Sequence, residues 1–348
     1  MRNPLRAVLR AARQSQVSAT RALRQLVLAP APKRARPSGR LKRPPARPPR
    51  PAPGSFVDGQ FAGRNGALSY KLYTPKGSAR RRLPLVVMLH GCTQTAADFA
   101  AGTRMNRLAD ELGFLVLYPQ QSMKANLGRC WNWHHPANQK RGGGEPAANA
   151  ALTRQTILAC RANPARVYIA GISAGGSAAS IIGAAYPDLF VAVGVHSSIP
   201  RGKVTNVAGA MAAMRGGEPV GVGRTARPLP TIVFHGDGDR VVHPSNAGGF
   251  VDHLRRSSSK VLASRTEQGR SAGGRTFTRT VYRHGIGDVL LEDWTIHGSG
   301  HAWSGGSATG SHTDPAGPDA SREMIRFFLA RKRPVLRPMP RARIAVAD

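Results

Sequence analysis

The chain has 348 residues, 41% of them apolar, enough for one large domain or two small ones with a substantial core. No run approaches the ~20 apolar residues of a membrane-spanning helix, and three cysteines, Cys92, Cys130 and Cys160, are too few and too widely spaced for a disulfide scaffold or a zinc site. The net charge of +33 arises from 51 Lys and Arg against 18 Asp and Glu, and it is concentrated at the ends. Met1–Val57 holds fourteen basic residues and no acidic one, six more basic residues follow from Arg331 with Asp348 as the one acid, and the middle carries a net +14.

In chain order, residues 1–28 place Leu5, Val8, Leu9 and Ala12, then Ala22, Leu23, Leu26 and Val27, on one side of a helical repeat, with Arg2, Arg6, Arg10, Arg13, Arg21 and Arg24 on the others. This pattern predicts a basic amphipathic helix and lacks the continuous apolar run of a secretory signal peptide. Residues 30–54, rich in Pro, Arg and Lys, predict an extended linker. Residues 1–54 are thus expected to form a basic arm, 55–330 one catalytic domain and 331–348 a basic tail.

Within the domain, Phe61–Arg64 and Ala67–Tyr73 flank Asn65-Gly66, a turn pair that predicts a hairpin. Short β-rich runs follow at Pro84–Leu89, Phe114–Tyr118, Arg166–Ala170, Phe190–Val195, Thr231–His235 and Val289–Ile296. Helical periodicity lies between them near 96–112, 149–161, 174–186, 206–215 and 244–256, with a last stretch at 319–330. Alternation of this kind after an antiparallel start predicts an α/β fold, a mostly parallel central sheet with helices on both faces. Cys160 falls on an apolar helix face and reads as buried filler.

Two G-x-S-x-G pentapeptides occur, Gly171-Ile172-Ser173-Ala174-Gly175 and Gly269-Arg270-Ser271-Ala272-Gly273. With about 0.3 matches expected by chance in so glycine-rich a chain, context has to separate them. The first follows the apolar strand Arg166–Ala170 and opens a small-residue helix, the strand–turn–helix arrangement of a nucleophile elbow. The second follows polar Thr266-Glu267-Gln268, with no strand expected before it and no helix after it. Ser173 is therefore the candidate nucleophile.

A serine hydroxyl needs a base, and the base must be oriented. After the strand Thr231–Phe234, the run His235-Gly236-Asp237-Gly238-Asp239 offers two carboxylates, of which Asp239 is favoured by motif position and Asp237 reads as a turn residue. Downstream, Gly300-His301-Ala302-Trp303 supplies a Gly-flanked base on a loop, while His297 ends the last strand and reads as structural. His90-Gly91-Cys92-Thr93-Gln94, just after an early strand, is the candidate oxyanion turn, where the backbone N–H of Cys92 would join that of Ala174. No metal or other cofactor is expected.

Leu89-His90-Gly91-Cys92-Thr93-Gln94, Cys130-Trp131-Asn132-Trp133, Gly144-Glu145-Pro146, the Ser173 elbow with Gly176, Pro187-Asp188-Leu189-Phe190 and Gly300-His301-Ala302-Trp303 together resemble the polyhydroxybutyrate depolymerase family of esterases, akin to feruloyl and acetylxylan esterases. The resemblance implies an α/β-hydrolase domain, hydrolysis of short-chain polyhydroxyalkanoate or related esters, and an extracellular setting, with the cytoplasm as the alternative. The stretch after 331 is expected to leave no room for a separate polymer-binding domain. Trp131 and Trp133 would share one side of an extended segment, either gripping substrate together with Gln94 or packed in the core. Cys92 and Cys130 either bridge or stay reduced, according to compartment.

Two rival readings share these residues. A serine peptidase of the same fold would use the same triad order, but no large propeller-like N-terminal region is expected to restrict access to peptides. Alternatively the basic arms could make the chain a surface-binding protein, held on an anionic membrane or polymer granule. No specific nucleic-acid partner is expected.

Overall fold

The computed structural model describes residues 54–77, 82–202, 204, 206–216, 229–258, 261–285 and 287–333. The expected arm up to residue 53 and the tail beyond 333 lie outside the described residues.

The first two strands, β1 (Ser55–Gly63) and β2 (Gly66–Thr74), form the expected hairpin, but one residue out of the anticipated frame. Gly63 pairs with Gly66, so Arg64-Asn65 make the turn, and the positive φ falls on Gly66 alone. Then come β3 (Leu85–Leu89), α1 (Ala96–Thr103), α2 (Met105–Leu112), β4 (Leu115–Gln120), α3 (Gly144–Cys160), β5 (Val167–Ile172), α4 (Ala174–Ala185) and β6 (Ala192–His196). They are followed by α5 (Val207–Met214), β7 (Thr231–Gly236), α6 (Ser245–Ser257), β8 (Leu262–Arg270), β9 (Thr276–His284), β10 (Val289–Ile296) and α7 (Ala320–Leu329). A short parallel pair, β11 (Trp303–Ser304) and β12 (Thr313–Asp314), lies in the loop between β10 and α7.

All ten long strands join in one sheet, in the order β1-β2-β4-β3-β5-β6-β7-β10-β9-β8. The run from β4 through β3, β5, β6 and β7 to β10 is parallel, with antiparallel strands at both edges. The central strands β3, β5 and β6 are buried at every position because both of their faces are covered. Leu85, Val87 and Leu89 of β3 point into one core with α3, α4 and α6, while Val86 and Met88 point into the other with α1, α2 and α7. Cys160 is buried in the first of these.

Three differences from the sequence reading have local causes. The single helix expected over 96–112 breaks at Arg104, whose φ of 54° caps α1 and opens α2. There Gly102 packs against Gly310, its carbonyl takes the N–H of Ser307, and the Arg104 guanidinium bonds the Gly305 carbonyl. Helix α3 starts five residues earlier than expected, because Pro146 sits in its first turn, where a missing N–H costs nothing. Strand β8 was not anticipated: it is exposed along most of both faces, so it carries no apolar alternation to read.

Candidate active site

Strand β5 delivers Ser173 at the carboxyl end of the sheet, and α4 begins at the next residue. The serine sits at φ 56°, ψ −127°, a strained conformation for a residue with a side chain. The elbow closes only because its neighbours lack side chains. A Cβ on Gly175 would collide with the Leu89 and His90 carbonyls, and one on Gly171 with the Gly175 carbonyl. The Ser173 N–H is held by the His196 carbonyl at 2.9 Å.

The second pentapeptide differs. A strand, β8, does precede Ser271, correcting the expectation of none, but a turn into β9 follows it rather than a helix. Its hydroxyl is tied to the Ala316 carbonyl.

Asp239 lies on the loop after β7, its side chain fully buried. One carboxylate oxygen, Oδ1, accepts the N–H groups of Val241 and Val242 at 2.9 Å each, and Oδ2 accepts from His301 Nδ1 at 2.7 Å. Burial alone would raise this carboxyl, but hydrogen bonds from His235 and His301 outweigh it and hold the group well below the ordinary range. With Nδ1–H donating to the carboxylate, the neutral His301 ring carries its free lone pair on Nε2. No hydrogen bond joins Ser173 to His301 in this state; resting sites commonly tighten only with substrate. The two loops meet at His196, whose carbonyl holds Ser173 and whose ring stacks on Trp303, two residues past His301. Burial and the neighbouring His235 and His301 push the His196 ring well below its usual range, and its Nε2 accepts the Ser304 N–H.

Asp237 is occupied elsewhere: it accepts from His297 Nδ1 at 2.8 Å and from the Gly298 N–H at 2.7 Å.

The turn after β3 abuts the nucleophile, for a Cβ on Gly91 would fall 3.6 Å from that of Ser173. From Gly91 to Gln94 its N–H groups are engaged except one. Gly91 donates to Gln94 Oε1, Thr93 to the Gly128 carbonyl and Gln94 to the Gly91 carbonyl, leaving Cys92 N–H without a protein acceptor. The Ala174 N–H, first in α4, has no intrahelical acceptor by construction and carries the positive end of the helix dipole. A disulfide joins Cys92 to Cys130 and ties this turn to the loop after β4.

Of the two readings open for Trp131 and Trp133, substrate grip or core packing, the structure shows both residues packed inward, with Gln94 buried too. Trp131 is fully buried and donates its indole N–H to the His90 carbonyl at 3.1 Å, Trp133 is 8% exposed, and the segment turns rather than extends. A buried indole needs an acceptor for its N–H, and this one ties Trp131 to the start of the turn that carries Cys92. Gln94 is buried as well, its amide donating to Asp98 and Ser311. An exposed aromatic grip is thus replaced by a packed support.

Sequence reasoning passed over three groups in this neighbourhood. Burial pushes the His90 ring down to about 4, and the ring accepts the Gln121 N–H. Burial raises Glu145 against its hydrogen bonds from Asn132 and Gln121, which fasten the loop carrying Cys130. His235, also buried, lies 3.4 Å from Asp239 Oδ2. His90, His196 and His235 share one signal, a histidine at the carboxyl end of an apolar strand.

A mostly parallel sheet with a strained serine between strand and helix, and an acid loop and a histidine loop following two of its parallel strands, defines an α/β-hydrolase. The chain belongs to the Esterase PHB depolymerase family, whose model matches residues 68–275. Poly(3-hydroxyalkanoate) depolymerase C of Paucimonas lemoignei is 32% identical over 268 residues, 72% of this chain and 62% of that protein. The chain therefore spans about three fifths of that relative's length. Feruloyl esterase B of Neurospora crassa is 27% identical over 58% of this chain and 73% of its own. Among solved structures, an acetyl xylan esterase from Aspergillus awamori superposes with a TM-score of 0.60 at 20% identity, covering 79% of this chain and 99% of that one, and so shares the fold.

Proposed function

We propose that the protein is a serine carboxylic-ester hydrolase acting on short-chain polyhydroxyalkanoate, poly-3-hydroxybutyrate-like, or related esters. The observation that carries this reading is the 2.7 Å His301–Asp239 hydrogen bond beside a serine held in elbow geometry. In this mechanism Ser173 Oγ attacks the ester carbonyl as His301 Nε2 takes its proton, and the imidazolium is stabilised by ionised Asp239. The N–H groups of Cys92 and Ala174 receive the developing oxyanion. His301 returns the proton to the departing alkoxide, leaving an acyl-Ser173, and water, deprotonated by His301, releases the acid. Feruloyl or acetyl-xylan esters are the second reading, supported by relatives of those names. A disulfide beside the oxyanion turn favours an oxidising, extracellular setting over the cytoplasm. The basic arm would hold the enzyme at an anionic membrane or polymer granule, an attachment that salt should weaken in a sedimentation assay.

The test is a hydrolysis panel with purified protein: p-nitrophenyl esters of increasing chain length, feruloyl and acetyl-sugar esters, peptides and amorphous poly-3-hydroxybutyrate. Preference for short acyl or hydroxyacyl esters is expected. Preference for peptide bonds or long acyl chains would overturn the reading.

A further inference from the structure

His235 is the penultimate residue of β7 and is buried, at 1% exposure. Its Nε2–H donates to the Val242 carbonyl at 2.9 Å and lies 3.4 Å from Asp239 Oδ2, the oxygen that also receives His301. The ring thereby contacts both ends of the 239–242 turn, the Asp239 carboxylate and the Val242 carbonyl. Its other nitrogen, Nδ1, is buried without a partner. On β10, Asp293 pairs in register with Val233 and Thr295 with His235, so Asp293 and His235 share the sheet face that α6 covers, one diagonal step apart. Asp293 Oδ1 is likewise buried without a partner.

An imidazole placed here only to fill space would be a poor choice, since an apolar side chain of the same volume leaves no polar atom stranded. What an apolar side chain cannot do is hold Asp239. We propose that His235 is a positioning residue for the reaction: through Nε2 it fixes the Asp239 carboxylate where His301 must find it. This rests on the assignment of Asp239 as the acid of the triad.

The experiment is a double-mutant cycle on a soluble p-nitrophenyl ester with wild type, His235→Leu, Asp239→Asn and the double variant, each checked for cooperative thermal unfolding. His235→Leu should lower kcat ten- to a hundredfold with KM within about twofold, because the loss lies in orienting the base rather than in binding. In the Asp239→Asn background the same substitution should change kcat less than twofold, since its target is already gone. His235→Gln, whose amide N–H falls near the Nε2 position, should return kcat to within about threefold of wild type, whereas His235→Asn, too short to reach, should not. Multiplicative losses in the cycle, or equal behaviour of the Gln and Asn variants, would overturn the proposal, and the Gln–Asn pair decides the matter even where the Leu variant does not fold. An active Asp239→Asn enzyme would instead overturn the triad assignment and this proposal with it. An inactive Asp239→Asn beside an unimpaired His235→Leu would overturn this proposal alone.

Discussion

Asp237 and Asp239, two residues apart on the loop after β7, hold two different histidines of the loop after β10: His297 Nδ1 lies 2.8 Å from Asp237, and His301 Nδ1 lies 2.7 Å from Asp239. The pairs differ in burial. The Asp237–His297 side chains are about 40% exposed, whereas Asp239 is fully enclosed, and Thr278 closes the outer pair by hydrogen bonding to His297 Nε2 at 2.9 Å. The outer pair is a latch between two loops, and only the inner one leaves an imidazole nitrogen available for chemistry.

That difference sets the expected ranking of the two carboxylates. Asp239→Asn should lower kcat by about three to four powers of ten, because the amide favours the wrong His301 tautomer. Asp237→Asn should cost less than about tenfold, since the Gly298 N–H still finds an acceptor. Steady-state kinetics on folded proteins measures both, and a larger loss at Asp237 would reverse the assignment.

The two serines should separate as cleanly. A fluorophosphonate probe is expected to label Ser173 and spare Ser271, whose hydroxyl is bound to Ala316 and has no helix N-terminus beside it. Peptide mapping locates the adduct. Ser173→Ala should abolish both labelling and hydrolysis, and Ser271→Ala neither.

The elbow was legible in the sequence because an apolar strand, two crowded glycines and a small-residue helix leave one conformation for Ser173. The parallel strands were legible for a related reason, since strands buried on both faces read as unbroken apolar runs. Edge strand β8 gave no such signal. Nor did Trp131: alternation with Trp133 suggests a shared side, but burial depends on the distant His90 carbonyl. The role of His235 was hidden for the same reason, as its partners Val242 and Asp239 are joined to it only by the folded loop.

The Cys92–Cys130 bridge closes a 38-residue separation, for which chain entropy predicts about 3–4 kcal/mol of stabilisation. Reduction, or Cys130→Ser, should therefore lower Tm by several degrees. Because Cys92 carries the unengaged N–H of the oxyanion turn, kcat should also fall, up to the roughly hundredfold typical of a damaged donor, with KM little changed. Thermal unfolding and kinetics with and without a reductant read the two effects separately. An unchanged kcat would show that the Thr93–Gly128 and Trp131–His90 hydrogen bonds hold the turn unaided.

The last prediction concerns pH and stability. Burial raises the Asp293 carboxyl to about 6, against the lowering influence of His235. A carboxyl whose folded value lies above its unfolded value of about 3.9 binds its proton more tightly in the native state. Its contribution is fully present below pH 4 and is lost as pH rises through 6, where a buried charge must form. Asp293→Asn removes that charge while keeping a side chain of the same size. The variant should therefore be more stable than wild type at pH 8, by up to about 3 kcal/mol for a shift of some two pH units, and the gain should shrink to nothing near pH 4. Denaturant unfolding of both proteins at pH 8, 6 and 4 gives the difference at each point. A gain independent of pH would mean that ionisation of Asp293 is not its source.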